Sequence, residues 1–314
     1  MLGMHRIGFK EAGQATSFGK FPTKITLVTP GLKAAVVAYQ AILNQDFDGD
    51  PHCYGPPEKG FTWNLARQDV PHDELRMATN DAGAIFDKGN HAWLWNALVF
   101  KTPDEKNQLP AGFTLDERPE LKDRLGRYPV KKPDGFYISK SAVPAVASQS
   151  EFEQSQYWNA AEVAYSALTP ALTPVGVKQF DIGIAIRNDT GESTAFMFAD
   201  AGASQKVGEC SARLFQNFFP HFDQEGHPVS FLVFPCSKTT VPNDKSSKSA
   251  LESAVRLKLK VFSGMYNIPD LALFFALGAD AAAVDRYNSN GKTRGDLERS
   301  SKIIADALRS AGLS

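Results

Sequence analysis

The chain has 314 residues and only three cysteines, Cys53, Cys210 and Cys236. They are too few and too scattered for a disulfide framework, and three small buried thiols are the plain reading. At most one pair can form. Cys210 with Cys236 is the best placed, beside neighbouring apolar segments, and the sequence leaves that pairing open. No pairing of cysteine with histidine has the spacing of a zinc site, so no metal is expected. No apolar run approaches the length of a membrane span, so no membrane partner is expected. Residues Met1–Lys24 lack the continuous apolar region of a secretory signal and carry Lys10, Glu11 and Lys20 instead, so no Sec signal is read there. With 34 basic and 35 acidic residues the net charge is −1, which removes the footing for a general nucleic-acid binder.

Apolar residues make up 43% of the chain, enough for a full core. Residues Met1–Lys24 mix Gly, Ser, Thr and charge and read as an extension with little structure. Ala34–Asn44 is ambiguous: its alanines favour a helix, whereas Val36, Val37, Tyr39 and Ile42 suit a strand. Trp93–Thr102 and Gly135–Ser139 read as strands, and Glu117–Leu125 as a surface loop or short helix. Gln154–Ala167 is helical by propensity, with Tyr157 and Trp158 leaving that open. Three further strands are predicted at Val177–Ile186, Ala195–Ala199 and Val229–Pro235. After the polar run Asn243–Ser247 the pattern turns helical over Ala250–Phe262, Asp270–Leu277 and Leu297–Ala311, with Pro269 as a start and Gly312 as a stop.

Several motifs fall away on inspection. Asp46-x-Asp48-x-Asp50 invites a calcium loop, but an EF-hand needs Gly sixth and Glu twelfth, where this chain has Pro51 and Pro57. A solvated acidic turn and the acidic wall of a substrate cleft both remain open. Asn288–Thr293 ends like a phosphate loop, yet the required first glycine falls on Arg286 and no strand precedes it. Gly208-Glu209-Cys210-Ser211-Ala212 resembles a nucleophile elbow centred on Cys210. That device needs a strand, a turn, a helix and a base, and none of the six histidines is placed by sequence.

Asp200 and Glu209 carry the best chemical signal. Asp200 follows Phe196-Met197-Phe198-Ala199, and Glu209 follows Val207-Gly208, so both acids close apolar stretches at the rim of a core. If those strands pair, the two carboxyls share a face. Glycoside hydrolysis needs such a pair, one acid to protonate the leaving oxygen and one carboxylate to activate water or attack.

An ordered series of motifs over about residues 35–237 resembles the fungal-type chitosanases of glycoside hydrolase family 75. Asp46-Phe47-Asp48-Gly49-Asp50 looks like the family's Asp-x-Asp-Gly element, and Gly135-Phe136-Tyr137-Ile138-Ser139 like its Gly-Tyr-Phe-Val-Ser strand. Tyr157-Trp158-Asn159-Ala160, with Val163, Tyr165 and Pro170, resembles its Tyr-Val-Asp-Ala…Ile-Pro-Tyr…Pro segment. Gly176-Val177-Lys178…Asp181 is similar to its Gly-Val-Lys-Leu-Gly-Asp strand. Asp200-Ala201-Gly202 and Gly208-Glu209-Cys210-Ser211 match Asp-x-Gly and Gly-Glu-x-Ser, and Phe234-Pro235-Cys236-Ser237 resembles Phe-Pro-Gly-Ser. The chain departs from the pattern at Ala164, Ala203 and Cys236, which stand where the family has Pro, Pro and Gly.

The resemblance implies inverting endo-hydrolysis of β-1,4-linked glucosamine chains, with Asp200 as base, Glu209 as acid, no cofactor, and an extracellular setting. A cationic substrate would suit a cleft walled by Asp46, Asp48, Asp50 and Asp181. The expected fold is α+β: an N-terminal extension over 1–34, a β-rich, barrel-like catalytic body over 35–242, and a helical extension over 243–314 packed on the body. Three rival readings remain: a glycosidase of the same mechanism on another glycan such as peptidoglycan, a non-catalytic carbohydrate-binding relative, and a hydrolase using Cys210. The expected partner is a polysaccharide or oligosaccharide; oligomeric state is left open.

Overall fold

The computed structural model describes residues 7–17, 22–30, 36–54, 97–123, 125–143, 145, 150–202, 205–219, 228–238, 248–262, 268–280, 282–284, 286 and 295–312. It is a mixed α/β structure in two compact units, one of Met1–Gln45 with Ala164–Ser314 and the other of Asp46–Val163. The second unit is thus an insertion in sequence, where three consecutive segments were expected. Trp93–Asn96 of the predicted strand Trp93–Thr102, five of the six histidines, the Asn243–Ser247 linker and the Asn288–Thr293 motif lie outside the described residues.

The first unit is built on a ten-stranded sheet. Its strands are β1 (Ile7–Ser17), β2 (Pro22–Pro30), β3 (Val36–Ile42), β4 (Asn44–Asp46), β8 (Tyr165–Leu168), β9 (Ile182–Arg187), β10 (Ser193–Ala201), β11 (Lys206–Val207), β12 (Glu209–Ser211) and β13 (Pro228–Phe234). Their order is β11-β1-β2-β3-β13-β9-β10-β8-β12-β4, and among the described residues no pairing closes this order into a barrel. β3 passes into β4 through Leu43 alone, and β11 into β12 through Gly208 alone.

The expectation of an unstructured N-terminus gives way at Ile7, because β1 and β2 pair antiparallel from Ile7 to Pro30 with a bulge between Glu11 and Gly13. β1 hid in the sequence because, among the described residues, only the two-residue β11 covers its outer side, so its residues stay largely exposed and need no apolar alternation. The ambiguous segment after Ala34 resolves as β3, seated between β2 and β13, where β-branched and aromatic side chains meet partners on both sides.

One face of this sheet carries an aromatic core. Tyr39 stacks on Phe231 with centroids 4.7 Å apart, and Phe196 meets Phe231 edge-on at 5.3 Å. The short helix α1 (Ala212–Gln216) covers it, capped by Ser211, whose Oγ accepts the Leu214 N–H at 3.2 Å. Helix α2 (Lys248–Phe262) packs on β9 and β10, and α3 (Ile268–Ala276) packs on α4 (Gly295–Ala311). Polar contacts pin the helical segment to the sheet: Gln40 Nε2 donates to the Phe275 carbonyl at 2.8 Å, and Thr26 Oγ1 to that of Ala279 at 3.2 Å. Phe9 of β1 stacks on Phe274 at 4.4 Å.

The second unit holds a three-stranded sheet, β5 (Phe100–Lys101), β7 (Tyr128–Lys131) and β6 (Thr114–Leu115), ordered β5-β7-β6. Val99, Leu115, Val130, Ile138 and Tyr157 form its core. Gly135–Ser139 makes only isolated bridges, Lys131 to Tyr137 and Leu98 to Ser139, rather than the predicted strand. Gln154–Ala167, helical by propensity but left open by Tyr157 and Trp158, begins with a single 3-10 turn, Gln154–Gln156. Asn159 ends any helical course by accepting the Ala161 N–H through Oδ1 at 3.0 Å, and Tyr165 then opens β8. No helix among the described residues is long and apolar enough to cross a membrane.

Candidate active site

Strand β8 organises the candidate site. β10 pairs with it in parallel, Asp200 opposite Ala167, and β12 pairs with it antiparallel, Cys210 opposite Ser166, which sets Glu209 opposite Ala167. Asp200, Ala167 and Glu209 therefore form one row across three strands, and side chains in a row leave the same face of a sheet. The acids are two inter-strand spacings apart, about 9.5 Å at Cα. Simple alternation along β10 would put Asp200 with Phe196 and Phe198 in the aromatic core. A bulge between Phe198 and Asp200 turns it to the opposite face.

Glu209 is partly buried, and no hydrogen bond reaches its carboxyl from the described residues. Burial pushes its pKa above the usual carboxylate range, opposed in part by the charge of Lys206. Asp200 is 4% exposed and its Oδ1 accepts the Ala201 N–H at 2.9 Å. Gly202 leaves room for the Glu209 side chain. A Cβ there would stand 3.3 Å from Glu209 Oε2 and 2.9 Å from the methyl of Thr169. The Asp200 backbone is held from the other side, where Gln179 Nε2 donates to its carbonyl at 2.9 Å.

Asp181 has a structural place rather than a position on a cleft wall. It is fully buried and accepts the backbone N–H groups of Lys178, Cys236, Ser237 and Lys238 at 2.7–3.3 Å. It clamps the end of β13 to the turn before β9, which explains why β9 begins at Ile182 and not at Val177. Cys210 is fully buried in the aromatic core, on the sheet face opposite to that of Asp200 and Glu209, so the elbow reading fails. All three cysteines are free thiols. Cys236 is exposed rather than buried and has φ +58°, in the left-handed region.

The acidic turn of the second unit is ordered by its own side chains. Asp46 Oδ1 accepts the Asp48 N–H at 3.0 Å, Asp50 Oδ1 the His52 N–H at 2.7 Å, and Asp48 Oδ1 the Tyr54 hydroxyl at 2.7 Å. Gly49 has φ +88°, and a Cβ there would stand 1.9 Å from the Trp158 carbonyl oxygen, so only glycine fits. Asp50 is 5% exposed and serves the turn, while Asp46 and Asp48 are partly exposed.

Sequence reasoning missed Thr169, Gln179 and Gly202 as parts of the site. Thr169-Pro170 reads as the end of a segment and Gln179 as part of a strand; only the pairing on β8 reveals what they adjoin. No protein-family model matches this chain, and no curated protein matches it in sequence.

Proposed function

We propose that this protein is a glycoside hydrolase that cleaves β-1,4-linked amino-sugar polysaccharide, chitosan first, with inversion at the anomeric carbon. The observation that carries the reading is the Asp200–Ala167–Glu209 row, one acid on each side of β8. A spacing of two strands suits the ~6.5–9.5 Å between carboxyls of inverting enzymes better than the ~5–5.5 Å of retaining ones. The ordered motif resemblance to the family 75 chitosanases points to the same pair. In keeping with that resemblance, the ten-stranded body is read as barrel-like, with the single-residue joints at Leu43 and Gly208 bending two of its strands into successive pairings.

The chemistry assigns each acid by its environment. Glu209, whose burial favours the neutral form, donates its proton to the glycosidic oxygen as the C–O bond breaks. Asp200 takes a proton from a water on the other face of the ring, and the oxygen of that water bonds to the anomeric carbon.

Reducing ends released from chitosan and from peptidoglycan, with NMR of the first-formed anomer, test the reading. Wild type and Cys210→Ala are expected to cleave chitosan with inversion, and Glu209→Gln to lose at least ~10²-fold in rate. A retained anomer, or a Glu209→Gln protein of near wild-type rate, removes the assignment. Cleavage of peptidoglycan alone moves the substrate to another glycan, and binding of chitosan without cleavage leaves a carbohydrate-binding protein.

A further inference from the structure

Beside the two acids stand polar atoms that the fold does not use. Thr169 is 1% exposed, and its hydroxyl is buried with no hydrogen-bond partner among the described residues. The Gln179 amide donates from Nε2 to the Asp200 carbonyl, while its Oε1 is buried and has no partner among the described residues. That one bond fixes the orientation of the amide, because a flipped group would set oxygen against oxygen. Buried polar groups are paired in the great majority of cases, since an unmade bond costs about 1–3 kcal/mol. Two such atoms belong to residues next to the row: Thr169, whose methyl shares the space over Gly202 with the Glu209 carboxyl, and Gln179, bound to the Asp200 carbonyl.

The setting of Thr169 is rigid. Its carbonyl accepts the Leu172 N–H at 3.0 Å, and Gly202 donates to the carbonyl of Leu168 just before it, at 2.9 Å. Pro170 restricts its backbone to extended conformations, and β-branching restricts χ1. Its methyl and the Glu209 Oε2 crowd the same open point over Gly202, at 2.9 and 3.3 Å. A stiff, buried hydroxyl held there without a protein partner is preorganised for something that arrives.

We infer that the Thr169 hydroxyl is a substrate-orienting group, which hydrogen-bonds a hydroxyl or amino substituent of the sugar whose glycosidic oxygen Glu209 protonates. The Gln179 Oε1, an acceptor only, takes a donor of the same ligand on the Asp200 side. The inference rests on the glycosidase reading above. It adds two residues that hold the ring in line between acid and base, which is how a few well-placed polar groups raise kcat without touching the bond that breaks.

The test is hydrolysis of the glucosamine hexamer by wild type, Thr169→Val and Thr169→Ser, with melting temperatures measured alongside. Valine keeps the shape of threonine and removes the hydroxyl. Thr169→Val is expected to lower kcat/KM by about tenfold, the loss of one hydrogen bond, at an equal or higher melting temperature. Thr169→Ser is expected to keep most of the activity. Unchanged kinetics in Thr169→Val overturn the inference, and so does a clearly lower melting temperature, since the hydroxyl would then serve the fold. If wild type leaves the hexamer intact, the chitosan reading itself fails and the inference falls with it. Cleavage by wild type with an indifferent Thr169→Val rejects the inference alone.

Discussion

A carboxyl that accepts no hydrogen bond from the described residues, in a partly buried site, ties stability to pH. For Glu209 the folded pKa is raised, so the folded state binds more protons than the unfolded chain between the ordinary Glu pKa of ~4.3 and the raised one. Its contribution is fully present below that unfolded value and is lost as pH rises through the folded pKa. Glu209→Gln, which carries no charge to desolvate, is therefore expected to melt higher than wild type near neutral pH, with the gap closing below about pH 4. Melting curves over pH 3–8 check this, and a gap that widens toward acid contradicts it. Such a residue was legible in sequence, because an acid that closes an apolar strand has few other places to go. Asp181 was not. A carboxylate that collects four backbone N–H groups at a turn reads like any acid near a strand, and only its partners reveal its part.

Elements decide where such residues point. The strands β9, β10 and β13 were legible from β-branched and aromatic runs, whereas the bulge that turns Asp200 out of the aromatic core has no local signature. Gly202 belongs to the same short stretch. In Gly202→Ala the new Cβ meets the immobile Thr169 methyl and the mobile end of Glu209, so the carboxyl is the part that moves. The variant is expected to lose at least about tenfold in kcat while melting within a few degrees of wild type, as a small misplacement of a reacting group costs rate before it costs stability. A kcat within twofold of wild type contradicts that crowding. At the other end of β13, Cys236 takes φ +58°, a conformation that glycine adopts freely. Cys236→Gly, which restores the glycine of the resembling Phe-Pro-Gly-Ser motif, is expected to stabilise by up to about 1 kcal/mol, as relief of strain outweighs the added freedom of the unfolded chain. A lower urea midpoint for Cys236→Gly contradicts the strain.

At the scale of the whole molecule, composition and periodicity revealed a mixed fold with helices last, but not its division. The second unit begins in the acidic turn and ends before β8, and nothing in the local pattern marks either point. The N-terminal hairpin was hidden because an edge strand can be polar throughout. The helical segment belongs to the first unit and completes its hydrogen bonding, since Gln40 and Thr26 spend side-chain donors on the carbonyls of Phe275 and Ala279. Removing residues 248–314 strands those groups and bares the faces of β9 and β10 beneath α2. The truncated protein is expected to be insoluble or to melt more than about 10 °C lower, and unchanged melting would show that the sheet needs no cover. The pairing of β3 with β13 has a further consequence, in time. Gln40 and Ser230, joined by a hydrogen bond, are 190 positions apart. At ~5–20 residues per second, a ribosome makes β3 roughly 10–40 s before the strand that flanks it exists. Before that interval ends the Asp46–Val163 insert has all of its own chain, and the sheet does not. The first forty-five residues therefore wait with an apolar strand uncovered, and slower translation lengthens their exposure to other nascent chains.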